Sequence, residues 1–121
     1  MRILIVEDHP ALGRTMLSTV ERLRPDAEVE LVASLADARR SVEEHGPEVI
    51  LTDLGLPDAT DLQALQELRA LAPKARIAVN SSRDDGNIVQ RALDSGADAY
   101  LLKGYDTDLY YDELTAFLAK G

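Results

Sequence analysis

The sequence predicts an α/β domain in which helices cover both faces of a five-stranded, doubly wound parallel sheet. Three observations carry this. Five short apolar runs alternate with five longer amphipathic ones along the 121 residues, the pattern of βαβ units around a parallel sheet. The first, third and fourth short runs are nearly continuous in Ile, Leu and Val, as strands buried on both faces are. Pro, Gly, Ser and Thr stand at the boundaries between runs, where helices start and stop.

The first strand is expected over about residues 2–6, Arg2-Ile-Leu-Ile-Val6. The first helix begins at Pro10, a favoured first-turn residue, carries Leu12, Met16, Val20 and Leu23, and stops by Pro25. The second strand is expected over about 28–33. The second helix has Ser34 as N-cap, Asp37 three residues on, and Gly46 as its stop. The third strand is expected over about 48–52, and Thr60 with Gln63 has capping-box spacing for a third helix bearing Leu62, Leu65 and Leu68. The fourth strand falls at about 76–80, and the fourth helix runs from Asp84 or Asp85 to Gly96. The fifth strand falls at about 98–102, and the fifth helix starts at Thr107 with Leu109, Leu114, Phe117 and Leu118.

Crossovers between parallel strands are right-handed. Five such units give a (βα)5, flavodoxin-like sheet of order 2-1-3-4-5, with strands 1 and 3 adjacent at the switch point. Residues 1–121 are expected to form one domain. The formal net charge of -9 leaves no basic surplus for binding DNA or RNA directly. With no cysteine there is no disulfide framework, zinc knuckle or thiol nucleophile. No apolar run reaches the roughly 18 residues that span a bilayer. The N-terminus turns acidic at Glu7, too soon for a signal peptide. A cytoplasmic protein without membrane contact is expected.

The chemistry gathers at strand ends. Glu7 and Asp8 follow the first strand, Asp53 the third, Ser81 the fourth and Lys103 the fifth. Ligands of open α/β sheets bind outside these carboxyl ends. Three carboxylates, one ammonium and one hydroxyl there suit a divalent cation and a phosphoryl group. Mg²⁺, or Mn²⁺ in its place, would relieve the repulsion among the acids. Asp8 and Asp53 are read as direct ligands, Glu7 as acting through water, and the Gly55 backbone carbonyl as completing the shell. Taken alone, Glu7-Asp8 reads equally as a solvated turn capping the first helix. Asp53 follows a buried strand and is read as a nucleophile towards phosphorus, giving an acyl phosphate. Helix entrance is the competing role for an acid there, and Asp58 and Asp61 are available to fill it. Lys103 and Ser81 suit phosphoryl oxygens. Tyr100, three residues before Lys103, falls on the other strand face. His9 and His45 have no metal-ligand spacing. Tyr110 and Tyr111 are read as exposed.

The motifs Ile5-Val6-Glu7-Asp8-His9-Pro10, Leu51-Thr52-Asp53-Leu54-Gly55-Leu56-Pro57-Asp58, Asn80-Ser81 and Gly96-Ala97-Asp98-Ala99-Tyr100-Leu101-Leu102-Lys103 resemble the receiver domain of bacterial two-component response regulators. The resemblance spans essentially the whole chain and looks most like the NarL/FixJ-type branch, whose members usually carry a C-terminal LuxR-type helix-turn-helix domain. It implies that Asp53 is the phosphoacceptor and that Glu7 and Asp8 are the acidic metal pair. Ser81 would be the hydroxyl that moves to the phosphoryl group, Lys103 the lysine that pairs with it, and Tyr100 the aromatic that rotates. Gly55 and Arg83 match positions that tune phosphoryl lifetime. The implied partners are a sensor histidine kinase or phosphotransfer protein, a second copy through the face of helix 4, strand 5 and helix 5, and DNA only through an output domain not in this chain. No turnover of a separate substrate is implied beyond self-phosphorylation and autodephosphorylation.

Two positions depart from the family pattern. Asp61 stands eight residues after Asp53, where Gly is usual, which leaves the shape of that loop open. Gly104 follows Lys103 where Pro is common, and Gly104-Tyr105-Asp106 is atypical of the branch. A more mobile loop is expected there. The fifth helix ends where a linker would begin, so the chain is expected to be an excised domain. A stand-alone or phosphate-independent receiver acting by protein contact is the alternative. A dehalogenase-type phosphatase would need Asp-x-Asp where Glu7-Asp8-His9 stands, and a flavin module a Ser/Thr/Gly-rich loop there.

Overall fold

The computed structural model describes residues 1–104 and 106–119. Tyr105, in the atypical loop, and Lys120 and Gly121, after the fifth helix, lie outside the described residues. The order is β1 (Arg2–Val6), α1 (Pro10–Leu23), β2 (Glu28–Val32), α2 (Leu35–His45), β3 (Val49–Thr52), α3 (Gln63–Leu71), β4 (Arg76–Ser81), α4 (Ile88–Asp94), β5 (Ala99–Leu102) and α5 (Thr107–Ala119). All neighbouring strands are parallel, in the expected order β2-β1-β3-β4-β5.

Side chains on a strand alternate between faces, and here both faces are covered. Leu4, Val6, Ile50, Ile77 and Val79 pack with Leu35 and Val42 of α2, Leu65 and Leu68 of α3, and Ile88 of α4. Ile3, Ile5, Val49, Leu51 and Leu101 pack with Met16 and Val20 of α1 and with Leu114, Phe117 and Leu118 of α5. That two-sided burial is why the strand runs are unbroken in Ile, Leu and Val.

Several helix ends match the sequence reading. Pro10 opens α1 after an extended His9. Ser34 Oγ accepts the Asp37 N–H at 3.1 Å, and Gly46 closes α2 with φ +59°. The last turn of α5 has no basic residue of its own. Arg24 instead donates to the Leu118 carbonyl at 2.5 Å, and Arg76 donates to the Phe117 carbonyl. These cations from other elements meet the negative end of the helix dipole.

Other boundaries differ. β2, β3 and β5 are each one residue shorter than expected, and β4 extends to Ser81. α3 starts at Gln63, not directly after Thr60, because Asp61 turns into the left-handed region at φ +47°. Half of the capping box survives, with Gln63 Oε1 accepting the Thr60 N–H at 3.3 Å. α4 starts only at Ile88, because Gly86 at φ +57° keeps the chain out of a helix. Leu12 and Leu109, read as part of helix stripes, are 43% and 54% exposed. Leu12 lines a groove with Met16, Thr107 and Tyr110 rather than entering the core.

Candidate functional site

β1 and β3 are hydrogen-bonded neighbours, with Val6 opposite Thr52. Each strand ends one residue later in an acid, and the Asp53 N–H donates to the Val6 carbonyl at 3.0 Å. This pairing brings Glu7, Asp8 and Asp53 together, with one oxygen of each within 4.8 Å of the others. On the far side, Lys103 follows β5 and reaches back over β4. Its Nζ lies 3.1 Å from Glu7 Oε1 and 3.4 Å from Asp53 Oδ2. One ammonium therefore meets two of the three carboxylates directly.

Burial sharpens the electrostatics. The Glu7 side chain is 2% exposed, against 16% for Asp53 and 17% for Lys103. Withdrawal from water pushes the Glu7 carboxyl above its ordinary value, and the hydrogen bond from Lys103 only partly opposes this. Glu7 Oε2 also accepts the His9 N–H at 3.2 Å. Glu7 is thus a more deeply held carboxylate than a solvated turn would contain. Asp8, more open to solvent than Glu7, has a carboxylate oxygen in the same cluster.

Asp53 is oriented by its own loop. Its Oδ1 accepts the Leu54 N–H at 2.7 Å and the Gly55 N–H at 3.3 Å, which leaves Oδ2 towards Lys103. A side chain at Gly55 would meet nothing within 4 Å, so this flank of the site is open. All three acids offer hard oxygen ligands, and a small divalent cation takes such ligands while keeping several waters. The donor set therefore fits Mg²⁺ or Mn²⁺.

Ser81 ends β4 opposite Leu102 and is buried. Its Oγ accepts the Arg83 N–H at 3.1 Å, and its carbonyl accepts the Lys103 N–H at 2.8 Å. Ser82 is exposed. Tyr100 packs half-buried against the α2–α3–α4 side of the sheet, and its hydroxyl donates to the Arg83 carbonyl at 2.5 Å. Burial raises its phenol above the ordinary value.

Four residues have surroundings that the sequence did not reveal. Asp58 does not enter α3. It caps α2, accepting the Leu35 and Ala36 N–H groups at 2.8 and 3.0 Å, and those bonds hold its carboxyl below the usual range. Tyr110 is not exposed. Its hydroxyl donates to Asn80 Oδ1 at 2.7 Å beside Met16, and burial pushes the phenol up to about 12. Tyr111 is half-buried, with its hydroxyl accepting from Arg22 at 3.1 Å. Asp61 pairs with Arg91 at 2.7 Å and Arg83 at 3.4 Å. The one available signal was its presence where the family pattern has Gly. Gly104 takes φ +95°, a path closed to the proline common there.

A profile of the response regulator receiver domain matches residues 3–115. The chain is 36% identical over 109 residues to the nitrate/nitrite response regulator protein NarL of Escherichia coli, covering 88% of this chain and 49% of that protein. It is 33% identical over 111 residues to the transcriptional regulatory protein DegU of Brevibacillus brevis, covering 89% and 46%. A LuxR-family two-component response regulator from Aurantimonas superposes with a TM-score of 0.83 at 28% identity, covering 98% of this chain and 84% of that one. The chain spans about half the length of the named relatives it matches.

Proposed function

The chain belongs to the response regulator receiver domain family, and from that premise we propose that it is a phosphorylation-activated switch with Asp53 as the acceptor. The observation that carries this is the meeting of Glu7, Asp8 and Asp53 with Lys103 at the carboxyl edge of the sheet.

In this reading the Asp53 carboxylate attacks the phosphorus of a phosphohistidine on a sensor kinase or phosphotransfer protein. An O–P bond forms, the donor's P–N bond breaks, and the electron pair leaves on the imidazole. The Leu54 and Gly55 N–H groups aim the carboxylate. Lys103, already between Glu7 and Asp53, pairs with a phosphoryl oxygen, and the Ser81 hydroxyl donates to another. Asp8, Asp53 and the Gly55 carbonyl would hold Mg²⁺, with Glu7 acting through water. The metal supplies charge neutralisation for the phosphoryl oxygens. Positioning and charge stabilisation account for most of such catalysis. Gly55 and Arg83, two residues after Asp53 and Ser81, are assigned a role in phosphoryl lifetime.

The acyl phosphate adds charge and acceptor oxygens. Ser81 and the segment after it are drawn in, Tyr100 releases the Arg83 carbonyl, and the face of α4, β5 and α5 changes. That face would carry the output, including a contact with a second copy. Transcription would be controlled through a DNA-binding domain in the part of the protein corresponding to the rest of its relatives' length. Residues 1–121 would then be one receiver domain working in the cytoplasm, without turnover of a separate substrate. No helix among the described residues is long and apolar enough to cross a membrane.

Intact mass after incubation with acetyl phosphate tests this. The expected result is a gain of one phosphoryl group in wild type with Mg²⁺, absent without metal and absent in Asp53→Ala. The same gain in Asp53→Ala would move the acceptor elsewhere.

A further inference from the structure

Asp61 connects the entrance of α3 to the segment that leads into α4. Its backbone is left-handed, at φ +47°, a conformation that Asp tolerates and Gly prefers. Its Oδ2 accepts from Arg91 on α4 at 2.7 Å, and its Oδ1 accepts from Arg83 at 3.4 Å. Arg83 is also held at its backbone, where its N–H donates to Ser81 Oγ and its carbonyl accepts from Tyr100. Asp61 is therefore one residue removed from both proposed switch residues.

Arg83 also pairs with Asp85 at 3.2 Å, a tie inside the segment that moves with it and does not hold it to α3. Residues 82–87 are all exposed, and Gly86 turns through φ +57°. α4 is seven residues long, and no side chain caps its N-terminus. A movement of Ser81 and the residues after it towards a phosphoryl group on Asp53 would shift Arg83, which is tied to Ser81 and Tyr100 through its backbone, relative to Asp61.

We propose that Asp61 is a positioning residue that latches the β4–α4 segment in its resting place through Arg83 and Arg91, and thereby slows phosphoryl uptake at Asp53. The second half of this statement rests on Asp53 being the acceptor; the latch itself does not. Both pairs are half-exposed, and pairs of that kind hold weakly, so the expected effect is about two- to five-fold. A latch of this strength holds the segment in place and still lets it yield.

The test uses Asp61→Gly, which removes the carboxylate and suits the backbone, and Asp61→Asn, which removes the charge and keeps a residue that adopts this conformation. Each is made in wild type and in an Arg83→Gln/Arg91→Gln background. Hydrogen exchange over residues 82–94 is measured alongside Mg²⁺-dependent uptake from acetyl phosphate. Both variants should exchange faster in that segment, with β1 to β3 unchanged, and take up phosphoryl about two- to five-fold faster. The difference should shrink as salt is added and vanish when the arginines are gone. Unchanged exchange in both variants, or an equal change without the arginines, overturns the latch. Faster exchange with unaltered uptake overturns its effect on phosphorylation. Should wild type take no phosphoryl group, the acceptor reading fails and the exchange result still decides the latch.

Discussion

At the ends of β1 and β3, Glu7 and Asp53 stand on strands whose residues are buried almost throughout, and backbone N–H groups already aim their carboxylates. At the ends of β4 and β5, the chain passes instead into exposed residues 82–87, a seven-residue α4, and Gly104 at φ +95°. Of the residues in β5 only Leu101 is buried. The acid side is fixed directly at its strand ends, whereas on the proposed responding side the packed strand β4 leads into a segment tied by hydrogen bonds and half-exposed ion pairs. A receiver needs both. An acceptor must be ready before the donor arrives, whereas a responder must have a second arrangement close in free energy.

The comparison can be broken most severely at Asp53, the proposed acceptor. Asp53→Asn should reduce phosphoryl uptake to background by intact mass, whereas Tyr100→Phe should leave uptake within a few-fold and alter only the response. Packing comes next. Ile50 is fully buried, and Ile50→Ala should cost about 2–5 kcal/mol in urea unfolding. Val89 on α4 is 38% exposed, and Val89→Ala should stay within about 0.5 kcal/mol. Equal costs would mean that Val89 is packed as tightly as Ile50.

Metal should stabilise the acid half. Burial raises the Glu7 carboxyl, so its charged form is under strain that a cation relieves. At a hundredfold excess over its dissociation constant, Mg²⁺ should add about 2.7 kcal/mol, read as a higher melting temperature. Asp8→Ala should abolish that gain. Capping gives a smaller contrast. Ser34→Ala at the capped α2 should cost about 1 kcal/mol, and Asn87→Ala at the uncapped α4 much less.

The smallest effect is acid-dependent. Asp58 has its carboxyl held below 3.8 by the two α2 N–H groups. Asp26 is lowered from 3.8 to about 2, chiefly by its hydrogen bond from Arg24. Depressed carboxyls contribute stability that is present above their unfolded value and lost as pH falls through the folded one. Stability should therefore decline below about pH 4, and Asp58→Asn and Asp26→Asn should each flatten that decline in melting curves.

Much of this was legible in the sequence, because strands buried on both faces leave unbroken apolar runs and parallel order brings their ends together. The cap at Ser34 and the stop at Gly46 depend on neighbours within one helix and could be read locally. What could not be read depends on distant partners. Asp58 caps a helix more than 20 residues away. Tyr110 is half-buried because Asn80 and Met16 lie beside it. α3 and α4 begin late because of single left-handed residues, Asp61 and Gly86. The Asp61 pairs join side chains 22 and 30 residues apart. The acids of the site were found because strand ends can be located, and the ties of the responding half were missed because they run between loops.

The most direct measurement is hydrogen exchange on the protein with beryllofluoride and Mg²⁺ bound at Asp53, compared with the free protein. The expected change lies in residues 82–94, β5 and α5, with β1, β2 and α2 unaltered. A change spread equally over α1, β2 and α2 would contradict the division into a preformed acceptor and a yielding responder.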